Sequence, residues 1–274
     1  MSKTIKVSII IPVYNSEKYL SETLKSVRKQ TFTEWECVII NDGSVDNSEK
    51  VILENIKDDS RFNYIYQENT GVCIARNEAV NQSVGEYILC LDADDLISAN
   101  FLEETLKVLM SDDNIKIATS SVEYFGRSKG KLEMVSYDLG TLLAANQLVV
   151  TSLFRREDFD RVGGFNQNMK EGLEDWDFWI AVLKEGGRVE RAENAVFSYR
   201  LTSNSRNTNV IGEKSSRLRY QIWLNHKELF SQYFVNPTSS FEYLSLIQSA
   251  EYKIGCLALK PLRYLLRKMN ELFL

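Results

Sequence analysis

Along the first half of the chain, short β-branched runs alternate with stretches whose apolar residues recur every three or four positions. Lys6 to Ile11 (KVSIII) reads as a strand stopped by Pro12. Leu20, Leu24 and Val27 then recur at helical spacing. Glu36 to Ile40 is a second strand closing on the turn Asn41-Asp42-Gly43. Asp46 followed by Glu49 has the form of a capping box, ahead of a helix with Val51, Ile52 and Ile56 on its apolar face. Asn63 to Tyr66 is a third strand, and a helix from Gly71 to Asn81 carries Ala75 and Ala79 on one side. Glu86 to Leu91 is a fourth strand, Leu102, Leu106 and Leu109 mark another helix, and Ile115 to Thr119 is a fifth strand. From Gly126 to Leu139 the pattern weakens into a hairpin or a flexible loop. Helical and strand signals resume at Ala144 to Arg155, Gly163-Gly164-Phe165 is a turn, and Asp175 to Lys184 is a strongly aromatic helix. From Gly212 onward the pattern is mostly helical.

Strands alternating with helices predict an α/β fold with a mostly parallel sheet covered on both faces. In such sheets ligands bind beyond the carboxyl ends of the strands. Asn15, Asn41-Asp42-Gly43, Glu68-Asn69 and Asp92-Ala93-Asp94-Asp95 all follow strand ends and should converge on one edge. The expected division is a catalytic domain over residues 1–211, in halves 1–125 and 126–211, and a helical extension over 212–274.

Composition narrows the chemistry. The 274 residues with 44% hydrophobic content suit one large or two small domains. A net charge of -5 argues against nucleic-acid binding, because no basic excess is available for phosphates. The run Val7 to Ile11 is too short for a signal peptide, and no stretch approaches the roughly 20 apolar residues of a membrane span. The expectation is a cytoplasmic protein. Cys37, Cys73, Cys90 and Cys256 form no CxxC pair, so neither a zinc knuckle nor a disulfide framework is indicated. The single histidine, His226, leaves acid–base and metal work to carboxylates.

Four constellations are candidates for that work. The acidic loop places three carboxylates within four residues at a strand end, where their repulsion is relieved by a hard cation or by a network of donors. The alternative is a solvated turn capping the helix near Phe101. Asn41-Asp42-Gly43 is a tight turn whose Asp42 could also accept from a base or ribose. Gly71 allows close backbone approach at a helix start, and Arg76 on that helix is either an anion contact or a surface arginine. Glu174-Asp175-Trp176-Asp177 opens a helix with acids at its positive end. It is also a candidate general base with Trp176 and Trp179 as sugar-stacking walls, though such aromatics are more often core.

Val7 to Asn15 (VSIIIPVYN), Asn41 to Ser44 (NDGS), Asn69-Thr70-Gly71 with Ala75-Arg76-Asn77, Leu91 to Asp95 (LDADD), Gly163-Gly164-Phe165 and Glu174 to Asp177 (EDWD) follow in a fixed order. Together they resemble the inverting family 2 glycosyltransferases of GT-A fold, over roughly Lys3 to Ser205. The resemblance implies a nucleotide-sugar donor, with a UDP-sugar favoured, and transfer to a hydroxyl in glycan or polysaccharide assembly. It implies Pro12, Tyr14 and Glu17 lining the nucleoside pocket, Asp42 on the base with Arg76 beside it, and Asp92 and Ala93 at the ribose or donor sugar. Asp94 would bind the Mn2+ or Mg2+ that holds the diphosphate, with Asp95 a further ligand or orienting group. Asp175 would be the general base, with Glu174 and Trp176 beside it. Many relatives carry a histidine in a Tyr-Arg-x-His segment, where this chain has Tyr199-Arg200-Leu201-Thr202. The following loop offers Arg206 as a diphosphate contact.

The tail from Lys260 spaces Leu262, Leu265, Leu266 and Met269 among Lys260, Arg263, Arg267 and Lys268. It reads either as an interfacial helix on the inner face of a membrane holding a lipid-linked saccharide acceptor, or as a helix packed on the catalytic domain or a homodimer partner. Two rival functions are a nucleotidyltransferase and a non-catalytic nucleotide-sugar-binding protein. The first calls for a glycine- and lysine- or arginine-rich triphosphate loop after the first strand, where Pro-Val-Tyr-Asn stands instead.

Overall fold

The computed structural model of the chain describes residues 5–132, 137–202, 212–233 and 241–272. In order it runs β1 (Val7–Val13), α1 (Leu20–Arg28), β2 (Trp35–Asp42), α2 (Ser48–Ile56), β3 (Phe62–Gln67), α3 (Val72–Asn81), β4 (Tyr87–Cys90), β5 (Leu96–Ile97) and α4 (Phe101–Leu109). There follow β6 (Ile115–Gly126), β7 (Gly130–Leu132), α5 (Leu139–Ala144), β8 (Leu153–Arg155), α6 (Arg156–Val162), α7 (Glu174–Leu183) and β9 (Arg188–Leu201). The chain continues as α8 (Gly212–Asn225), α9 (Lys227–Tyr233), α10 (Phe241–Gln248) and α11 (Ala250–Leu272).

The sheet order is β3-β2-β1-β4-β8-β6-β9-β5, with β7 paired to β6. β3, β2, β1 and β4 are parallel, as are β6 and β9, while β8 is antiparallel to β4 and β6, and β5 to β9. The chain winds from β1 out to β3 and returns on the other side of β1 as β4. β1 and β4 therefore flank the switch point where a crevice opens. Successive residues of β1 face opposite layers. Ile9 and Ile11 pack with Leu24, Phe101 and Leu106, while Ile10 packs with Ala75, Ala79, Phe154 and Phe178. Both faces being covered explains why β1 and β2 read as continuous apolar runs.

The structure corrects several sequence expectations. β1 does not stop at Pro12 but continues to Val13, with Pro12 in register with Ile40. Leu91 N–H donates to the Ile10 carbonyl just past the end of β4. Amides two residues apart on a strand face the same side, so the missing N–H of Pro12 faces a side that β4 no longer occupies. Asp46 and Glu49 form no capping box: the cap position is Asn47, Asp46 accepts from Ser48 N and Glu17 N, and Glu49 accepts from the Tyr64 hydroxyl. The fifth predicted strand is only the start of β6, which runs to Gly126 and turns into a hairpin with β7. β9 was not expected at all.

α8 and α9 are not detached from the catalytic body. Leu218, Ile222 and Phe230 join the core layer of α3, α5 and α7.

Candidate active site

Two acidic clusters and the arginines that hold them define the candidate site. The loop after β4 turns tightly, Asp95 N–H donating to the Asp92 carbonyl at 3.2 Å. The Thr23 hydroxyl fixes the Ala93 carbonyl at 2.9 Å. The buried Asp95 carboxyl accepts the Arg200 backbone N–H at 2.7 Å. Burial, and then the charges of Asp94 and Asp92, push its pKa up to about 9. The shift favours the neutral form of Asp95, which eases the repulsion within the loop. Neither result supports the helix-capping alternative, since the residue at the cap position of α4 is Asn100.

Arg200, at the end of β9, clamps this loop from behind. Its Nε donates to the Asp94 carbonyl at 2.7 Å and its Nη2 to Glu22 at 2.9 Å. Its guanidinium lies 4.3 Å from the ring centres of both Tyr19 and Phe125. Thr202 lies two residues further on, partly buried.

At the end of β2, Asp42 is almost fully buried and organises the neighbouring loop. It accepts from Thr70 N at 2.9 Å, Gly71 N at 3.0 Å and Gln67 Nε2 at 2.6 Å. Gly43 has φ +72°, and a Cβ there would sit 2.7 Å from Asn69 N, so only glycine lets the two loops meet. Glu17 is likewise engaged, accepting from Asn47 N and Nδ2 at 2.8 and 2.7 Å. Between these contacts the Tyr14 ring is 53% exposed and Pro12 is half-buried. Pro12, Tyr14 and Glu17 thus share one edge with Asp42.

Arg76 is neither a surface arginine nor aimed at the base-side loop of Asp42. It is completely buried, with Nη1 on Glu174 and Nη2 on Asp92, each at 2.8 Å. Burial opposes its charge, but Asp92 and Glu174 outweigh that and hold it protonated above the usual guanidinium value.

Glu174 and Asp175 open α7. Leu173 just before them has φ +58°, a left-handed conformation rare for leucine. Asp175 is half-buried; Oδ1 accepts Trp176 N–H at 2.8 Å and Oδ2 accepts Asn146 Nδ2 at 3.1 Å. Burial, and then the Glu174 charge, raise its pKa to about 6, with Arg76 acting the other way. Trp176 and Trp179 do not wall a groove. They are 2% and 0% exposed, and Trp176 Nε1 donates to the Leu142 carbonyl at 2.6 Å. The aromatic stripe is core, packed with Phe154, Phe165 and Phe178.

Through Arg76 the structure brings Asp92 and Glu174 together across 82 residues of sequence, counted between their numbers. His226 lies elsewhere, bonded to Asp177 at 3.0 Å. Arg206 lies outside the described residues. Arg200, Glu22 and Asn146 are contributors that sequence reasoning missed. Among the described residues, no group of three or more His, Cys, Asp and Glu is arranged as a metal cage.

The sequence model of glycosyl transferase family 2 matches residues 8–172, more than half of the chain. The chain belongs to that family. A second model, the N-terminal domain of galactosyltransferase, matches residues 143–204, a stretch that includes Asn146 and Asp175. The putative teichuronic acid biosynthesis glycosyltransferase TuaG of Bacillus subtilis is 27% identical over 242 residues, covering 86% of this chain and 92% of TuaG. Among solved structures, S. aureus TarS 1–349 in complex with UDP-GlcNAc superposes with a TM-score of 0.70 at 20% identity, over 90% of this chain and 77% of TarS 1–349. The mannosyltransferase PcManGT of Pyrobaculum calidifontis, in complex with GDP-Man and Mn2+, gives 0.59 at 17% identity, over 96% and 83%. The fold of this family 2 glycosyltransferase is therefore the GT-A fold, and a glycosyltransferase of that family is not a nucleotidyltransferase.

Proposed function

We propose that this glycosyltransferase moves a sugar from a nucleotide donor, a UDP-sugar in preference, to a saccharide hydroxyl with inversion at the anomeric carbon. The observation that carries the reading is the pairing of a donor-side carboxylate, Asp92, and a base-side carboxylate, Glu174, on one buried guanidinium at the switch-point crevice. Pro12, Tyr14, Glu17 and Asp42 border the nucleoside. Asp92 and Ala93 meet the ribose or donor sugar. Asp94 and the diphosphate oxygens would share a Mn2+ or Mg2+, which when bound offsets the charge of the leaving diphosphate.

The acceptor oxygen bonds to the anomeric carbon as the bond from that carbon to the diphosphate oxygen breaks. The acceptor proton passes to Asp175. Trp176 N–H and Asn146 each hold one oxygen of that carboxylate, so its orientation is set before the acceptor arrives. Asp175→Asn should bind UDP as the wild type does and lose transfer by at least a hundredfold, in line with loss of a positioned base. Transfer at the wild-type rate would remove Asp175 from the role.

For the acceptor we infer a saccharide carried on a lipid at an anionic membrane face. None of the helices among the described residues is long and apolar enough to cross a membrane. α11 exposes Ile254 and Leu257, at 65% and 63%, between Lys253 and Lys260. Apolar and basic residues together on one helix suit the surface of an anionic bilayer. Vesicles of phosphatidylglycerol should sediment the chain, and Ile254→Glu with Leu257→Glu should abolish this. Unchanged binding by that variant, or none by the wild type, would count against the membrane and leave these helices to a second copy.

A further inference from the structure

Arg76 spends its guanidinium in an unusual way. It has no exposed surface, its two terminal nitrogens go to carboxylates 16 and 98 residues away in sequence, and its Nε has no hydrogen-bond partner. The Phe165 ring lies 5.3 Å from its centre. Buried ion networks of this kind are often no more stabilising than apolar side chains of the same volume. Stability alone is therefore a poor reason for the arrangement, and the identity of the two carboxylates is the better clue. Asp92 begins the acidic loop, where β4 has ended. Glu174 begins α7 directly after the strained Leu173, and no side chain caps that helix.

We propose that Arg76 is a positioning residue that joins the donor loop to the base, so that moving Asp92 toward a donor is felt at Glu174 and Asp175. The proposal rests on the reading of Asp175 as base. Its basis is geometric. A planar fork can hold two carboxylates in fixed relation, whereas a lysine ammonium is a point charge on a flexible stem. If Asp92 turns toward a ribose or sugar hydroxyl, Arg76 loses half of its counter-charge and leans on Glu174. The first turn of α7, which carries Asp175, is held by that second bond. Coupling of this kind is reciprocal: a change at Glu174 must alter nucleotide binding by the factor with which nucleotide alters the Glu174 end.

The groups facing Asp175 are Glu174 on its own helix, Arg76 from α3, Asn146 from the segment after α5 and the N–H of Trp176. Two of them are charged and of opposite sign. Weakening the Arg76 end should raise the acid limb of kcat/KM, and removing the Glu174 charge should lower it.

The test compares wild type, Arg76→Lys, Glu174→Gln and the double variant, with folding checked by circular dichroism. Binding of UDP, or of GDP if the wild type prefers it, is measured by calorimetry with Mn2+. Glu174→Gln touches no donor atom, yet the expected result is affinity weakened about fivefold or more. Arg76→Lys should weaken it similarly, and the double variant should be no worse than the stronger single one. The acid limb of donor hydrolysis should fall in Glu174→Gln, which removes a charge, and move much less in Arg76→Lys, which keeps one. Wild-type nucleotide affinity in Glu174→Gln would overturn the proposal, as would an acid limb in that variant that stays put or rises. If Arg76→Lys does not fold, the affinity and limb of Glu174→Gln decide alone. Asp175→Asn separates the two claims. If it still transfers sugar, the base reading falls; if it is inactive while Glu174→Gln binds nucleotide normally, only the coupling falls.

Discussion

Arg200→Met removes the clamp behind the acidic loop while keeping most of the apolar stem. Four contacts are lost. The hydrogen bond from Nε to the Asp94 carbonyl has a charged donor in a nearly dry place, for which about 1.5–3 kcal/mol is typical. The faces of Tyr19 and Phe125 lose a cation, at about 0.5–1 kcal/mol each for partly exposed rings. The ion pair with Glu22 adds little, because Glu22 is 55% exposed and solvent screens it. The bond from Arg200 N–H to Asp95 is made by the backbone and survives. The expected loss is about 2–4 kcal/mol of unfolding free energy in urea, scaled for methionine filling part of the space. Because the clamp holds Asp94 through its main chain, nucleotide affinity in the presence of Mn2+ should fall as well. Calorimetry at 10 °C, where the variant is still folded, measures this separately from stability. A variant that unfolds within about 0.5 kcal/mol of wild type, the range of an ordinary surface change, and binds UDP equally well would refute the reasoning.

Two further predictions concern protons and charge. Asp175 must be ionised to accept a proton, so donor turnover should fall on the acid side with a midpoint near pH 6; a pH profile flat from about 5 to 8 would contradict this. The folded protein holds this proton more tightly than the unfolded chain, whose aspartates titrate near 3.9. Its contribution to stability is therefore present at low pH and is lost as pH rises from about 4 through about 6. Within the acidic loop, Asp94→Asn should weaken Mn2+-dependent UDP binding about tenfold or more by losing the charged metal ligand. Asp95→Asn should leave stability at pH 7 nearly unchanged, because the residue it replaces is already neutral there. The reverse ranking in calorimetry and urea titration would mean the two roles have been exchanged.

The left half of the sheet was legible because each strand is apolar on both faces and each strand end is marked by polar residues. That logic placed β1 to β4, their helices and the shared edge of Asp42 and Asp92. It failed where partners are remote. β9 pairs along β6 over most of its length, yet Arg188, Glu190, Arg191 and Glu193 break the apolar alternation that a strand reading needs. Arg76 was open to two readings, an anion contact or a surface arginine, because helical spacing says nothing of what lies 98 residues further on. Its burial goes with tertiary pairing to both Asp92 and Glu174, beside the Phe165 ring. Trp176 and Trp179 were open to two readings, and helical periodicity could not choose between them, because α7 is apolar nearly all round and sits inside the second core layer.

The three aspartates of the acidic loop show how the fold divides one motif into unlike parts. Three like charges within four residues cannot all stay ionised without compensation. Asp95 is drawn inward against Arg200 N–H, where burial and its neighbours' charges favour its neutral form. Asp92 is paired with the buried Arg76 at 2.8 Å. Asp94 is held through its main-chain carbonyl by Arg200 Nε. Counted as formal charges, Asp92, Asp94, Glu174 and Arg76 sum to -2. On the proposed reading, a Mn2+ or Mg2+ held by Asp94 would offset that charge. The absence of a histidine at Thr202 is consistent with this balance. A neutral imidazole would add a ligand but no charge, whereas the charge itself is set by which aspartates the two arginines leave ionised.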